Sequence, residues 1–269
     1  MTRRLFSLSI LPLVAAAPKN IVDTHVHFYD PTRPGGVPWP RPTDTVLYRR
    51  VLPSDYRKLS TADVIIVEAS PLVQDNDWIL ELALHNTWVR GVVGNLDPAS
   101  PDFARNLERY AANKRFRGIR LGVAKAAQHL EKLGRLEAAN LTLDLIGDAA
   151  MYPLARQIAE RYPKLRIVLD HLPLPEANAS IANLREHPNV YAKVSWILRG
   201  ATDTLDNHRQ ALDEVLRVFG EDRVLYGSNW PVSDLIAPYP RIEQTAFAYF
   251  RDKAFEKYTS LNSRSAYRW

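Results

Sequence analysis

The sequence predicts a single α/β domain of the (β/α)8 class, a TIM-like barrel. Eight short apolar runs rich in β-branched residues recur along the chain, and longer segments with apolar residues at helical spacing separate them. Near-continuous apolar strands alternating with helices indicate a parallel sheet whose outer face is covered. The chain has 269 residues, of which 46% are apolar, so it is long enough for the one large core of such a barrel.

Each predicted element follows from a local pattern. The alternative fold is a doubly wound open sheet, but no G-x-G-x-x-G follows a strand and no G-x-x-x-x-G-K-[ST] occurs, so nothing supports nucleotide binding. The predicted strands are 20–25, 63–69, 89–96, 116–121, 141–146, 166–171, 190–195 and 223–228. The clearest helical spacing lies at 76–88, 102–112, 153–162 and 205–219.

The first 17 residues have the pattern of an export signal. Two arginines precede an apolar stretch, Leu5 to Ala17, that ends in small residues and is too short to span a bilayer. The run T-R-R-L-F is similar to a twin-arginine signal. We therefore expect a periplasmic or extracellular protein with its barrel in residues 18–269. The alternative is a cytoplasmic protein whose apolar N-terminal segment packs on the barrel.

Composition excludes several classes of function. The net charge is +5, but the 35 basic and 30 acidic residues are interspersed, so we expect no nucleic-acid partner. The absence of cysteine excludes disulfides, thiolate metal sites and a cysteine nucleophile. We expect a small-molecule substrate and no membrane association beyond the export signal. The sequence gives no indication of an oligomeric state.

His25 and His27 end the first predicted strand. Alternate residues of a strand point to the same face, so the two imidazoles should lie side by side, roughly 6–7 Å apart. That spacing suits two ligands of one metal ion or two polar groups on one substrate. Residues 30–53, rich in proline and glycine, follow as a long first βα loop and a natural lid.

Polar residues recur at the ends of the later strands, where barrel active sites collect. This recurrence predicts one common site. Because Asp170 precedes His171 on its strand, we expect the Asp170 side chain to point away, towards the helices. The strand-end residues are Glu68, Arg120, Asp144, Asp170, His171, Lys193, Trp196, Ser228, Asn229 and Trp230.

Three segments resemble motifs of the amidohydrolase superfamily, in its amidohydrolase-2 group of sugar-acid and pyrone lactonases. They are V-D-T-H-V-H-F-Y-D-P on strand one, R-I-V-L-D-H-L-P on strand six and R-V-L-Y-G-S-N-W-P-V-S-D on strand eight. The similarity runs over residues 20–269, with the motifs in the family's order. The resemblance implies a hydrolase in which activated water opens a lactone of a sugar acid or a small carboxylated ring.

The resemblance also implies roles for individual residues. His25, His27 and His171 match the family's metal-contacting or substrate-contacting histidines, so they are candidate catalytic residues and, if a metal is bound, its ligands. Arg120 matches a position where lactonase-like members often have arginine. Strand five carries Asp144 where metal-bridging members have histidine. The binuclear pattern is therefore absent, and we expect either no cofactor or one divalent ion, zinc or manganese.

Strand eight departs from the family pattern, because Asn229 occupies the position of the usual aspartate. An amide cannot take a proton from water, although its carbonyl oxygen can ligate a metal or orient a water molecule. Three histidines and an amide also lack an anionic ligand and would hold a divalent ion less firmly. Asn229 remains a candidate catalytic residue. In a reaction without metal, the candidate bases are Asp170, Asp144, Glu68 and Asp234.

Substrate binding has further candidates. Arg120 has the planar fork that grips a carboxylate, although a salt bridge at the barrel mouth is the alternative. Lys193 is expected to be buried and paired with a carboxylate, and Asp23 to brace strand one. The remaining candidate contacts are Glu68 and Asp144 as polar groups and Trp196, Trp230 and Trp39 as surfaces for ring stacking.

Two other functions remain open. One is a metal-dependent non-oxidative decarboxylase, a chemistry that the same superfamily performs and that Asn229 disfavours. The other is a non-catalytic exported binding protein, in which Asn229 marks a lost activity. Because one barrel fold hosts many reactions, the residues at the site must decide between them.

Overall fold

A computed structural model describes residues 20–172 and 179–269, and the predicted export signal at 1–17 lies outside the described residues. These residues form one sheet of eight parallel strands in chain order, so the predicted barrel is confirmed. Every strand lies within two residues of its predicted bounds. The strands are β1 Val22–Val26, β2 Asp63–Val67, β3 Val89–Gly94, β4 Phe116–Gly122, β5 Thr142–Ile146, β6 Arg166–Asp170, β7 Val190–Val194 and β8 Val224–Tyr226.

Helices connect successive strands, and the four predicted helical segments are present. The helices are α1 Pro53–Tyr56, α2 Asp75–His85, α3 Phe103–Ala111, α4 Val123–Gln128, α5 Gly134–Ala138, α6 Met151–Arg161, α7 Ala179–Ala182, α8 Arg209–Phe219, α9 Tyr239–Phe250 and α10 Asn262–Tyr267. Short 3-10 turns lie at Leu130–Lys132, Leu205–His208 and Val232–Leu235, and a π-helical turn at Lys257–Leu261. Within the described residues, no helix has the length and apolar character needed to cross a membrane.

The barrel closes between β1 and the segment that follows β8. The Asn229 amide donates a hydrogen bond to the His25 carbonyl oxygen at 2.9 Å, and the His27 amide donates to the Trp230 carbonyl oxygen at 2.8 Å. Backbone hydrogen bonds therefore join the strand-one motif V-D-T-H-V-H to the strand-eight motif G-S-N-W-P.

Strand alternation separates two apolar clusters. Val64 and Ile66 pack outward in the large cluster that includes the helices, whereas Ile65 and Val67 belong to a smaller cluster inside the barrel. Tyr267 of α10 belongs to that inner cluster, so the C-terminal segment fills part of the barrel interior.

The segment between β1 and α1 lies over the strand ends. Tyr29 and Val51 exchange two backbone hydrogen bonds, of 3.0 and 2.9 Å, which bring the ends of the segment together. Arg49 forms an ion pair with Asp234, at 3.0 Å from nitrogen to oxygen, and so ties the segment to the loop after β8.

Candidate active site

A cavity of about 240 Å³ opens at the C-terminal ends of the strands. It brings together six residues that the sequence analysis named as candidate site residues. The lining residues are His27, Trp39, Ala69, Arg120, Ile146, His171, Trp196, Asn229 and Val232.

His25 lies behind this lining and is fully buried. Its ring centroid is 4.9 Å from that of His27 and 4.3 Å from that of His171, so the three imidazoles form one cluster. Gly227 makes room for it, because a Cβ atom at that position would lie 2.8 Å from the Cβ of His25.

Three residues of the lining adopt left-handed backbone conformations. The φ angles are 51° at His171, 55° at Trp196 and 60° at Asn229, directly after or shortly after β6, β7 and β8. L-residues rarely adopt this conformation, which costs energy and clusters at functional sites. Here it ends the strand alternation and allows each side chain to reach the cavity.

The prediction that Asp170 points towards the helices is wrong. Its Oδ1 atom lies 2.7 Å from Lys193 Nζ and 3.5 Å from His25 Nδ1, inside the barrel. Alternation predicts the opposite direction only if His171 continues the strand. Because His171 turns into the left-handed region, two consecutive side chains face the interior.

A buried charge cluster therefore lies beneath the histidines. Lys193 Nζ is also 2.7 Å from Asp144 Oδ2, which accepts a hydrogen bond from Tyr267 OH at 2.8 Å. Burial opposes ionisation of Asp170, but the Lys193 charge holds the pKa of Asp170 well below its usual value. Burial raises the pKa of Asp144 to about 7. The interpretation of Lys193 as buried and paired with a carboxylate is confirmed.

The imidazoles of the cluster are neutral at pH 7. Burial, helped by the charge of Arg120, lowers the pKa of His27 and of His171 from 6.5 to about 3. Burial likewise holds the pKa of His25 well below its usual value. Each ring therefore carries one protonated nitrogen and one free lone pair.

The His27 ring is fixed in one tautomer. Its Nδ1 atom lies 2.7 Å from the Val67 carbonyl oxygen. A carbonyl oxygen only accepts hydrogen bonds, so Nδ1 carries the proton and Nε2 carries the lone pair. His171 is held at the same ring position, with Nδ1 2.8 Å from Ser195 Oγ.

Several predicted contacts lie outside the cavity. Glu68 Oε1 accepts hydrogen bonds from the Ala69 and Ser70 amides, both at 2.7 Å, and burial raises the pKa of Glu68 to about 8.

Asp144 belongs to the charge cluster, and Trp230 packs on Phe28 with ring centroids 6.3 Å apart. The structure does not bring these three predicted substrate contacts, or Asp170 and Asp234, into the lining.

Other contacts fix the frame of the site. Asp23 Oδ1 accepts hydrogen bonds from the His25 and Ser228 amides, at 3.2 and 2.8 Å, which confirms Asp23 as a brace of strand one. Arg120 lines the cavity and donates to the Glu68 carbonyl oxygen at 2.8 Å. No signal in the sequence distinguished Ser195, which lies directly after β7 and two residues after Lys193.

The donor set at the site does not fit a firmly held metal ion. The three imidazoles are close together, but within residues 20–172 and 179–269 no group of three His, Cys, Asp or Glu side chains has the arrangement needed to hold a cation. The three imidazoles and the Asn229 amide are neutral, so they supply no negative charge to a cation. The positive charges of Arg120 and Lys193 act on His27 and His25 and oppose the binding of a further cation. We therefore assign no step of the chemistry to a metal.

Comparison with known proteins agrees with this architecture. A family model described as Amidohydrolase matches residues 22–269. The chain belongs to the amidohydrolase family. Among solved structures, an amidohydrolase from Burkholderia multivorans with zinc bound superposes with a TM-score of 0.80 at 24% identity, over 93% of this chain and 99% of that one.

Two curated relatives of this amidohydrolase are lactonases. The L-fucono-1,5-lactonase of Burkholderia ambifaria is 30% identical over 236 residues, which cover 80% of this chain and 81% of the relative. The L-fucono-1,5-lactonase of Burkholderia multivorans is 26% identical, over 82% of this chain and 85% of the relative.

Proposed function

We propose that this amidohydrolase is a hydrolase that opens a lactone ring. The observation that carries the proposal is the cavity at the strand ends, where the neutral His27 and His171 imidazoles and the Arg120 guanidinium line one space. The two lactonase relatives support the same reaction class. Hydrolysis of a cyclic ester needs a base for water and a group that stabilises the oxyanion.

His27 is the base in this proposal. Its Nε2 atom carries the free lone pair, because Nδ1 donates to the Val67 carbonyl oxygen. Water attacks the lactone carbonyl carbon, and its proton passes to His27 Nε2. When the ring C–O bond breaks, the leaving alkoxide takes that proton back, so the product is the open hydroxy acid.

His171 and Arg120 stabilise the oxyanion that forms at the carbonyl oxygen. Both line the cavity. Donors fixed before the reaction, in a site that excludes water, give the largest electrostatic effect on the transition state. His171 can donate into the cavity only when its proton lies on Nε2.

The substrate class follows from the size and lining of the cavity. A space of about 240 Å³ suits a single small ring. Arg120 is the one permanently charged side chain in the lining, so it selects a substrate with a carboxylate or several hydroxyl groups. A carboxylate paired with Arg120 also offsets the charge that lowers the pKa of His27, which makes His27 a stronger base. Trp39 and Trp196 give flat apolar walls for the ring.

The test is acid release from a panel of sugar-acid lactones and carboxylated pyrones, measured by pH-stat with the purified protein. We expect turnover by the native chain and its loss in the double variant His27→Gln/His171→Gln. His85→Gln, which changes an exposed histidine on α2, is the control. The proposal fails if no lactone opens faster than in buffer, or if the double variant keeps the native rate.

The same samples separate the alternatives. Release of carbon dioxide from hydroxybenzoates without lactone opening would indicate a decarboxylase. Tight binding of a lactone without turnover would indicate a binding protein.

Export is a separate part of the proposal. It rests on the arginine, apolar and small-residue pattern of residues 1–17. Cell fractionation with mass analysis of the exported chain tests it. We expect a periplasmic chain that lacks this segment, and an intact cytoplasmic chain would contradict export.

A further inference from the structure

Ser195 carries a buried hydroxyl next to His171, behind the cavity lining. It follows β7, is 2% exposed, and its Oγ atom lies 2.8 Å from His171 Nδ1. Two tautomers of His171 are compatible with this distance. In one, Ser195 donates to the lone pair of Nδ1, and in the other, Nδ1–H donates to Oγ.

The hydrogen-bond balance of Ser195 distinguishes these tautomers. Among the described residues, Ser195 Oγ has one hydrogen-bond partner, His171 Nδ1. If Nδ1–H donated, the serine proton would be buried without an acceptor. Such an unsatisfied buried donor costs about 1–3 kcal/mol. Donation by Ser195 satisfies both atoms.

We infer that Ser195 is a positioning residue that holds the proton of His171 on Nε2, so that this ring is the hydrogen-bond donor to the lactone oxyanion. The inference rests on the proposed function and extends it. Ser195 is absent from the cavity lining, whereas His171 is part of it, so Ser195 acts through His171.

The two lining histidines then have opposite roles. At His27, a backbone carbonyl oxygen accepts from Nδ1 and leaves a lone pair on Nε2. At His171, a hydroxyl donates to Nδ1 and leaves a proton on Nε2. A carbonyl behind one ring and a hydroxyl behind the other are therefore enough to make one neutral imidazole a base and the other a donor.

Imidazole ¹⁵N NMR of histidine-labelled protein reads this tautomer directly. His171→Gln assigns the His171 signals by their loss. We expect the native ring to carry its proton on Nε2, and Ser195→Ala to shift it towards Nδ1–H. Ser195→Thr keeps the hydroxyl and should restore the native signals. Ser260→Ala removes a buried hydroxyl elsewhere and should leave them unchanged.

Kinetics supply the second measurement. We expect kcat for lactone opening to fall about tenfold to a hundredfold in Ser195→Ala with KM little changed, because the oriented donor is lost. Ser195→Thr should recover most of kcat. A native His171 protonated on Nδ1, or a Ser195→Ala variant with native signals and native kcat, would overturn the inference. The NMR result does not need turnover, so an Nε2–H ring in a protein that opens no lactone would count against the proposed function alone.

Discussion

Proton positions on individual side chains decide what this site can do. The lining offers two neutral imidazoles, one amide and one guanidinium, and none of the carboxylates that the sequence suggested as bases. His27, His171 and Arg120 were identifiable because they lie at strand ends. The tautomers of the two histidines could not be predicted from the sequence, because they depend on the Val67 carbonyl oxygen and the Ser195 hydroxyl, which the fold brings from other strands.

Replacement of His27 tests the assigned base. His27→Gln keeps a polar side chain but removes the basic lone pair, so we expect kcat to fall about a hundredfold or more with KM nearly unchanged. Steady-state kinetics on the best lactone measures this, with His85→Gln as the matched control. A native kcat in His27→Gln would assign the base elsewhere.

Replacement of Asn229 tests whether the site binds metal weakly because it has no anionic ligand. The Asn229 Oδ1 atom is buried and has no hydrogen-bond partner among the described residues. Asn229→Asp supplies the missing anionic ligand, so we expect zinc to bind at least about tenfold more tightly than to the native chain. Calorimetric titration with zinc measures this, and Asn113→Asp on the surface is the control. Equal affinity in both chains would contradict the assignment.

Glu68 gives a stability prediction that depends on pH. Burial raises its folded pKa from 4.5 to about 8, so the folded state favours the protonated form. Stability is therefore lost as pH rises from 4.5 through 8, by at most about 1.4 kcal/mol per pH unit. Glu68→Gln removes this loss and keeps an oxygen for the Ala69 and Ser70 amides.

We expect Glu68→Gln to gain stability over the native chain between pH 5 and pH 9 in urea unfolding. Glu131→Gln, at an exposed position, is the control. A stability difference that stays constant over this range would contradict the burial of a protonated Glu68.

The strands and the helices between them were predicted from the sequence, because their apolar periodicity is strong. The prediction failed where β6 ends. Because His171 adopts a left-handed conformation, the Asp170 side chain points into the barrel and not towards the helices. The residue type at position 171 does not indicate this change in the sequence. Glycine and asparagine favour this conformation, whereas histidine and tryptophan adopt it here under tertiary constraint.

The charge cluster joins β5, β6 and β7 inside the barrel, and Lys193 is its centre. Lys193→Met leaves Asp144 and Asp170 buried without their cation, so we expect a loss of about 3–5 kcal/mol in the free energy of unfolding. Lys257→Met, which breaks an exposed pair with Asp222, should leave the free energy of unfolding nearly unchanged, because solvent screens exposed ion pairs. Chemical denaturation compares the two, and a similar small loss in both would contradict a structural role for the cluster.

The whole molecule is the barrel that eight strand–helix units predicted, and this barrel places the C-terminal ends of its strands around one opening. The sequence did not predict that the C-terminal segment enters the barrel. Tyr267 reaches Asp144, and the Ala266 carbonyl oxygen accepts from Thr142 Oγ1 at 2.8 Å. These contacts span more than 100 residues, beyond the reach of local patterns.

We propose that the side chains of this barrel open a lactone without a metal ion, because the lining offers neutral imidazoles, an amide and a guanidinium but no anionic ligand. The most direct measurement is the rate of lactone opening before and after treatment with EDTA, with the metal content determined on the same samples. We predict that the rate survives chelation and that added zinc does not raise it. A rate that falls on chelation and returns with zinc would contradict the claim and assign His25, His27 and His171 as ligands.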